Sequence, residues 1–174
     1  PRVDRDGAPI RPAYIRVVQN DILIIDSEFE GVTGGAIDDR YGVPAGLMLQ
    51  GDHSGVEYRD VRYRPLQWDW AAEEEFTSLF DGESLAGWKV STETGHGSGG
   101  AWDVVDGVIT GTQDTPGNGG ILITDEDYGD YEVRFEMNPD WNIDSGFFLR
   151  CTDDGRCYQV TVDYRPDGEV GTIY

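Results

Sequence analysis

Apolar and polar residues alternate with a period of two along much of this chain, which is the pattern of short strands with one buried face. Val133, Phe135 and Met137 share one face of such a segment, with charged residues between them. The only helix-like stretch is Trp68–Phe76, and it is short enough to be a linker. The predicted strands are Tyr14–Val18, Ile22–Ile25, Leu47–Gln50, Val56–Arg64, Trp102–Val105, Val108–Thr112, Ile121–Thr124, Tyr131–Met137, Phe147–Arg150, Tyr158–Asp163 and Val170–Tyr174. Many short strands separated by Gly, Asp, Asn and Pro predict an all-β sandwich or jelly roll.

Local signals refine this prediction at three places. The Asp106-Gly107 pair favours a two-residue hairpin turn, and residues 153–155 are placed similarly between two strands. In Val56–Arg64 the apolar residues change from even-numbered to odd-numbered positions between Tyr58 and Val61. A β-bulge near Asp60 would produce that shift.

Composition limits the partners. The 174 residues suffice for one domain with a sizeable core, and 34 acidic against 13 basic residues give a net charge of −21. Such a charge repels phosphate backbones and anionic lipid, so neither nucleic acid nor a membrane is an expected partner. No apolar run approaches the length of a membrane span. Two interpretations of the acidity stay open: a solubilising surface, and carboxylates that hold a hard cation such as calcium.

Cys151 and Cys157 are the only cysteines, and they flank a turn-like segment. They could form a cross-strand disulfide or stay reduced, and the sequence leaves both open. A disulfide would favour an oxidising compartment, so a periplasmic or secreted location is the expectation. His53 and His96 share no zinc-ligand spacing with the cysteines.

A series of blocks in the second part of the chain carries a family resemblance. The blocks are Leu79–Trp88, Trp102–Ile109, Gly120–Glu132, Asp144–Arg150 and Gly171–Tyr174. In this order they resemble the first half of the 3-keto-disaccharide hydrolase family, which implies a concanavalin-like jelly roll. Ala45–His53 and Val56–Leu66 are similar to the closing strands of the same family.

The order of these parts is reversed. Residues 1–66 are predicted to be the C-terminal half of a jelly-roll domain, 67–75 a linker, and 76–174 the N-terminal half. The chain is then either a segment cut across a tandem repeat or a permuted single domain that closes one sandwich. Halves that do not pair within the chain would leave open edges and favour a domain-swapped dimer.

The resemblance implies cleavage of glycosides already oxidised to a ketone at C3. The ketone acidifies the C2 proton, a base removes it, the enolate expels the C1 group, and water adds back. The expected catalytic residues are His53 as base, Arg150 as a donor to the enolate, and Asp163 as a further proton acceptor.

Sugar binding is expected from further residues in or near the matching blocks. Trp141 and Trp88 are candidates for stacking on a sugar face, although core burial is the commoner fate of a tryptophan. The other expected substrate-binding residues are Gln50, Asp52, Gln159, Thr161 and Tyr174. Arg150 and Gln159 share a site only if the hairpin between them is bulged or the cysteines are not directly opposed.

Two alternatives stay open beside the hydrolase. The family often has Glu and Gln where this chain has Gln159 and Thr161. That loss of a carboxylate favours a non-catalytic, lectin-like carbohydrate-binding module, and an interaction domain is the third interpretation. A direct glycosidase would need two carboxylates flanking the bond, and the sequence lacks the dense acidic motif expected of one.

Overall fold

The computed structural model describes residues 13–29, 44–51, 55–65, 76–93, 99–153 and 157–173. These ranges contain strands and turns but no α-helix, and thus no helix that could cross a membrane. The strands are β1 Ala13–Gln19, β2 Ile22–Phe29, β3 Gly46–Gln50, β4 Val56–Pro65, β5 Thr77–Ser78, β6 Trp88–Val90, β7 Ala101–Val105, β8 Val108–Thr112, β9 Ile121–Thr124, β10 Tyr131–Pro139, β11 Asp144–Cys151, β12 Tyr158–Asp163 and β13 Val170–Ile173. Apart from Phe76, the predicted helix-like stretch lies outside the described residues.

Two antiparallel sheets form the body of the domain. The six-stranded sheet has the order β13-β12-β11-β3-β9-β6, and the five-stranded sheet has the order β10-β4-β8-β7, with β5 also pairing with β4. Both sheets contribute to one buried core, to which Leu47 and Phe147 come from the first sheet and Tyr58 and Ile109 from the second. The predicted all-β, jelly-roll sandwich is confirmed.

Strands from both parts of the chain lie in the same sheets. β3 pairs with β9 and β11, and β4 pairs with β10, β8 and β5. β3 and β4 therefore lie inside sheets whose other strands follow residue 76. Most of the predicted linker, 67–75, and its boundaries fall outside the described residues.

Two of the three predicted local irregularities are confirmed, and the predicted turn at 153–155 lies mostly outside the described residues. Asp60 has a positive φ of 54°, and the β4–β10 register shifts beside it, which keeps both Tyr58 and Val61 buried. In the β7–β8 turn, Asp106 and Gly107 both have positive φ, as a type I′ hairpin requires.

The first hairpin, β1–β2, forms a separate two-stranded sheet. It turns at Asn20 and Asp21, both with positive φ, and its apolar residues Tyr14 and Ile22 are exposed. Ile24 lies against Gly171 of β13 so closely that a Cβ on this glycine would be 2.3 Å from the Ile24 side chain.

Candidate functional site

The polar face of β12 is the starting point of the site. Phe147 of β11 is opposite Val160 of β12, and because Phe147 lies in the core, Val160 faces inward as well. The alternation of a strand then turns Gln159, Thr161 and Asp163 to the other face of the six-stranded sheet. This is the grouping predicted from the sequence.

An open cavity of about 180 Å³ lies on this face. We call it the polar cavity, and it is lined by Asp144, Gln159, Thr161, Asp163, Arg165 and Glu169. Its three carboxylates and single guanidinium leave it with a negative charge. The volume is below the about 300 Å³ at which pockets for drug-sized ligands begin.

Arg165 is fixed against one wall of the polar cavity. Its Nε donates to Asp163 Oδ1 at 2.9 Å and its Nη2 donates to Asp163 Oδ2 at 2.6 Å. Nη2 also lies 3.1 Å from Asp144 Oδ2. Hydrogen bonding with Asp163, supported by the charge of Asp144, raises the pKa of Arg165. The forked guanidinium is thus held charged and oriented while half of its side chain stays exposed.

An amide pair lies beside the cavity. Gln159 Nε2 donates to Gln50 Oε1 at 2.9 Å, and Gln50 is buried. The Gln159 side chain passes over Gly146, where a Cβ would be only 2.6 Å from Gln159 Nε2 and 2.9 Å from the Val160 carbonyl oxygen. The glycine of the Asp144–Arg150 block therefore makes room for the amide pair.

Gln50 is also held through its backbone. Its carbonyl oxygen lies 3.2 Å from the Tyr58 hydroxyl and 3.2 Å from the Ser145 hydroxyl. The same Tyr58 hydroxyl is 3.2 Å from the Gly146 carbonyl oxygen, so its one proton serves two acceptors. Tyr58 is fully buried in β4, and it therefore links the five-stranded sheet to β3 and β11 behind the site.

Trp141 lies in the turn between β10 and β11, and its side chain is 82% exposed. Its indole stacks on Tyr164 with ring centroids 5.5 Å apart and an interplanar angle of 24°. Tyr164 directly follows Asp163, and its amide donates to the Ile143 carbonyl oxygen, next to Asp144. This bond continues the register of Asp144 and Asp163, so strand alternation turns Tyr164 to the face of the sheet opposite that of Asp163.

Trp88 is not available for stacking on a ligand, which agrees with core burial as the commoner fate of a tryptophan. Its side chain is buried in the core, and its Nε1 donates to the Leu79 carbonyl oxygen at 2.7 Å. The sequence has no specific signal for the burial of Trp88, which was expected only because most tryptophans are buried.

Arg150 lies away from the polar cavity. It has a positive φ of 54° and occupies a bulge, because the β11–β3 register shifts between Phe148 and Cys151. Its guanidinium pairs with Asp130, which directly precedes β10 of the other sheet. Asp144 is six residues along the strand, or about 20 Å. The structure therefore does not bring Arg150 together with Asp163.

The two cysteines lie in one buried cluster with Phe148. Leu149 is opposite Tyr158, and Cys151 is opposite Gly46 of β3. Burial together with hydrogen bonding to Cys157 raises the pKa of Cys151. The disulfide stays a prediction.

Several predicted residues cannot be placed. Asp52, His53 and Tyr174 lie outside the described residues, as does His96, so the roles assigned to them stay predictions. Gly51, the last described residue before His53, adjoins Gln50. Within the described ranges, no three Asp, Glu, His or Cys side chains are grouped so as to hold a metal ion.

Sequence reasoning missed Asp144, Arg165, Glu169 and Tyr164. Asp144 could have been found, because it is opposite Asp163 in the β11–β12 register. That register is set by the length of the turn between the two strands, which the sequence does not define. Arg165 follows the end of β12, where strand alternation no longer predicts the direction of a side chain.

A two-sheet sandwich with a polar cavity on one sheet has the architecture of a lectin-like jelly roll. Residues 75–174 match the family model of the 3-keto-alpha-glucoside-1,2-lyase-like domain, and the chain belongs to this carbohydrate-active family. The match contains every residue that lines the polar cavity. No curated protein and no solved structure matches the chain.

Proposed function

We propose that this domain cleaves 3-keto-glycosides by removing the C2 proton, expelling the group at C1 and adding water. The observation that carries the proposal is the polar cavity, which places carboxylates beside a fixed guanidinium within the family-matching segment. Proton abstraction next to a ketone needs this combination of a base and a donor for the enolate oxygen.

Arg165 is the donor in this scheme. Among the described residues its Nη1 has no hydrogen-bond partner, whereas Nε and Nη2 are held by Asp163 and Asp144. The two N–H groups of Nη1 are therefore available to the oxygen at C3, where negative charge develops. The carboxylate of Asp163 positions this guanidinium.

Asp144 is a better base within the cavity than Asp163. Asp163 accepts hydrogen bonds from the Arg165 amide, Nε and Nη2, which occupy its lone pairs. Asp144 shares only Nη2 with Arg165, at 3.1 Å, and thus keeps acceptor capacity for a substrate proton. His53, the base predicted from the sequence, is the competing assignment.

The test is incubation with 3-keto-trehalose and 3-keto-sucrose, following 3-ketoglucose by chromatography. We expect turnover by the wild type and a loss of about 10²–10⁴-fold in kcat for the variant that lacks the base, Asp144→Asn or His53→Ala. Asp106→Asn is the matched control, because Asp106 lies in an exposed turn of the other sheet and Asn suits its positive φ. Absence of turnover by folded wild-type protein would contradict the hydrolase.

A non-catalytic carbohydrate-binding module is the second proposal. Gln159 stands where the family often has Glu. Its amide donates a hydrogen bond to Gln50, and it supplies no carboxylate to the site. Calorimetric titration with the same sugars separates the hydrolase from the binding module, because binding without release of 3-ketoglucose supports the module.

A further inference from the structure

The polar cavity contains a row of three carboxylates across three neighbouring strands. Asp144 of β11 is opposite Asp163 of β12, and the Asp163 amide donates to the Glu169 carbonyl oxygen at 3.1 Å. Val162 alternates with Asp163 and therefore faces inward, as does Val170 of β13, which is opposite it. Glu169, which precedes Val170, is thus turned to the same face as Asp163, and all three carboxylates line the cavity.

Glu169 differs from the other two carboxylates in its contacts. Arg165 Nη2 is shared by Asp144 and Asp163, and within the described residues no hydrogen bond joins Arg165 to Glu169. The Thr172 hydroxyl donates to Glu169 Oε2 at 2.6 Å, which orients the carboxylate. Glu169 is exposed, and its Oε1 accepts no hydrogen bond from the described residues. It therefore has acceptor capacity within reach of solvent water.

The reaction needs a second base, an argument that rests on the proposed function. When Asp144 takes the C2 proton, the electron pair of the C2–H bond forms a C1=C2 double bond. The C1–O bond then breaks, and the expelled oxygen takes a proton from solvent. Water must next bond to C1 and lose a proton, while the proton on Asp144 returns to C2. Because Asp144 is protonated at this stage, it cannot also accept the proton of the water.

The position of Glu169 suits this second role. The strand order places β12 between β11 and β13, so the backbones of Asp144 and Glu169 are two strand spacings, or about 9–10 Å, apart. Carboxyl groups about 6.5–9.5 Å apart leave room for a reacting water beside a sugar ring in inverting glycosidases. Asp163, between them, is less suited, because the Arg165 amide, Nε and Nη2 occupy its lone pairs.

We infer that Glu169 is the catalytic base that accepts the proton of the water adding to C1. Asp144 then begins the reaction by elimination, and Glu169 completes it by hydration of the unsaturated ketone. Elimination and hydration depend on different carboxylates, so a domain without Glu169 would release the unsaturated ketone in place of 3-ketoglucose.

The experiment follows glucose release and 3-ketoglucose formation from 3-keto-trehalose by chromatography, and the conjugated, unsaturated ketone by its ultraviolet absorbance. We expect Glu169→Gln to leave glucose release unchanged and to lower 3-ketoglucose formation about 10²-fold, so that the unsaturated ketone accumulates. Glu169→Asp keeps a carboxylate and should recover part of the hydration. Asp167→Asn is the matched control, because Asp167 is an exposed acid of the same turn that does not line the cavity. It should change neither rate.

A loss of glucose release as large as that of 3-ketoglucose formation, or no loss of 3-ketoglucose formation, would overturn the role of Glu169. Release of the unsaturated ketone by a wild type that does not hydrate it would also overturn that role. Failure of the proposed function is distinguishable, because the unsaturated ketone can be supplied directly as a substrate. A wild type that hydrates it, with Glu169→Gln impaired, but does not cleave 3-keto-trehalose supports the role and rejects the hydrolase. A wild type that does neither overturns both.

Discussion

Replacing Gly146 by Ala tests the packing that supports the polar cavity. The new Cβ would be 2.6 Å from Gln159 Nε2 and 2.9 Å from the Val160 carbonyl oxygen. The first conflict is relieved if the Gln159 side chain moves, but its hydrogen bond to buried Gln50 is then lost, at a cost of about 1–3 kcal/mol. The second conflict is with the backbone carbonyl oxygen of Val160, and this overpacking adds about 1–3 kcal/mol to the loss of stability. We expect Gly146→Ala to lower the free energy of unfolding by about 2–6 kcal/mol.

A double-mutant cycle measured by urea unfolding isolates the side-chain conflict. Gln159→Ala removes both Gln159 atoms that the new Cβ would approach, so Gly146→Ala should be less destabilising in that background by about 1–2 kcal/mol. Gly129→Ala is the matched control, because a Cβ there meets no atom within 4 Å. Strict additivity of the two substitutions, or full stability of Gly146→Ala, would refute the reasoning.

Two tyrosines give further predictions. Tyr58→Phe removes the donor shared by the carbonyl oxygens of Gln50 and Gly146, and we expect chemical unfolding to show a loss of about 1–3 kcal/mol; an unchanged midpoint would contradict this role. Burial raises the pKa of Tyr128 from 10.0 to about 12, so the folded state favours the neutral hydroxyl. The contribution of this hydroxyl to stability is complete below pH 10 and is lost as the pH rises toward 12. Over this range the urea midpoint of Tyr128→Phe should therefore fall less steeply with pH than that of the wild type. Parallel pH dependences of the two proteins would exclude the effect.

Much of the fold could be predicted because it depends on local patterns. The alternation in Val133, Phe135 and Met137 indicated which face of β10 packs on the core. The phase shift in β4 located the bulge at Asp60, and Asp106-Gly107 indicated a tight turn. The family resemblance added the concanavalin-like type of jelly roll, but only Asp144 of the cavity lining lies in one of the matching blocks.

The rest of the site depends on register and tertiary packing, which the sequence does not encode locally. The register of β11 and β12 sets which of their residues are opposed, and a one-residue slip would turn each side chain to the other face. Arg150 is separated from Asp163 because the two residues lie at opposite ends of this hairpin. Trp88 and Trp141 look alike as sequence signals, and only the surrounding chain buries one and exposes the other.

The central positions of β3 and β4 bear on how this domain folds. Leu47 bonds to Thr124 across 77 residues of sequence, and Gln50 bonds to Gln159 across 109. High contact order of this kind slows folding, because a long loop must close before either sheet can form. A protein trimmed to the family-matching residues 75–174 would keep the whole cavity lining but lack an interior strand of each sheet. The residues that match the family model therefore do not include every strand that the two sheets of this chain need.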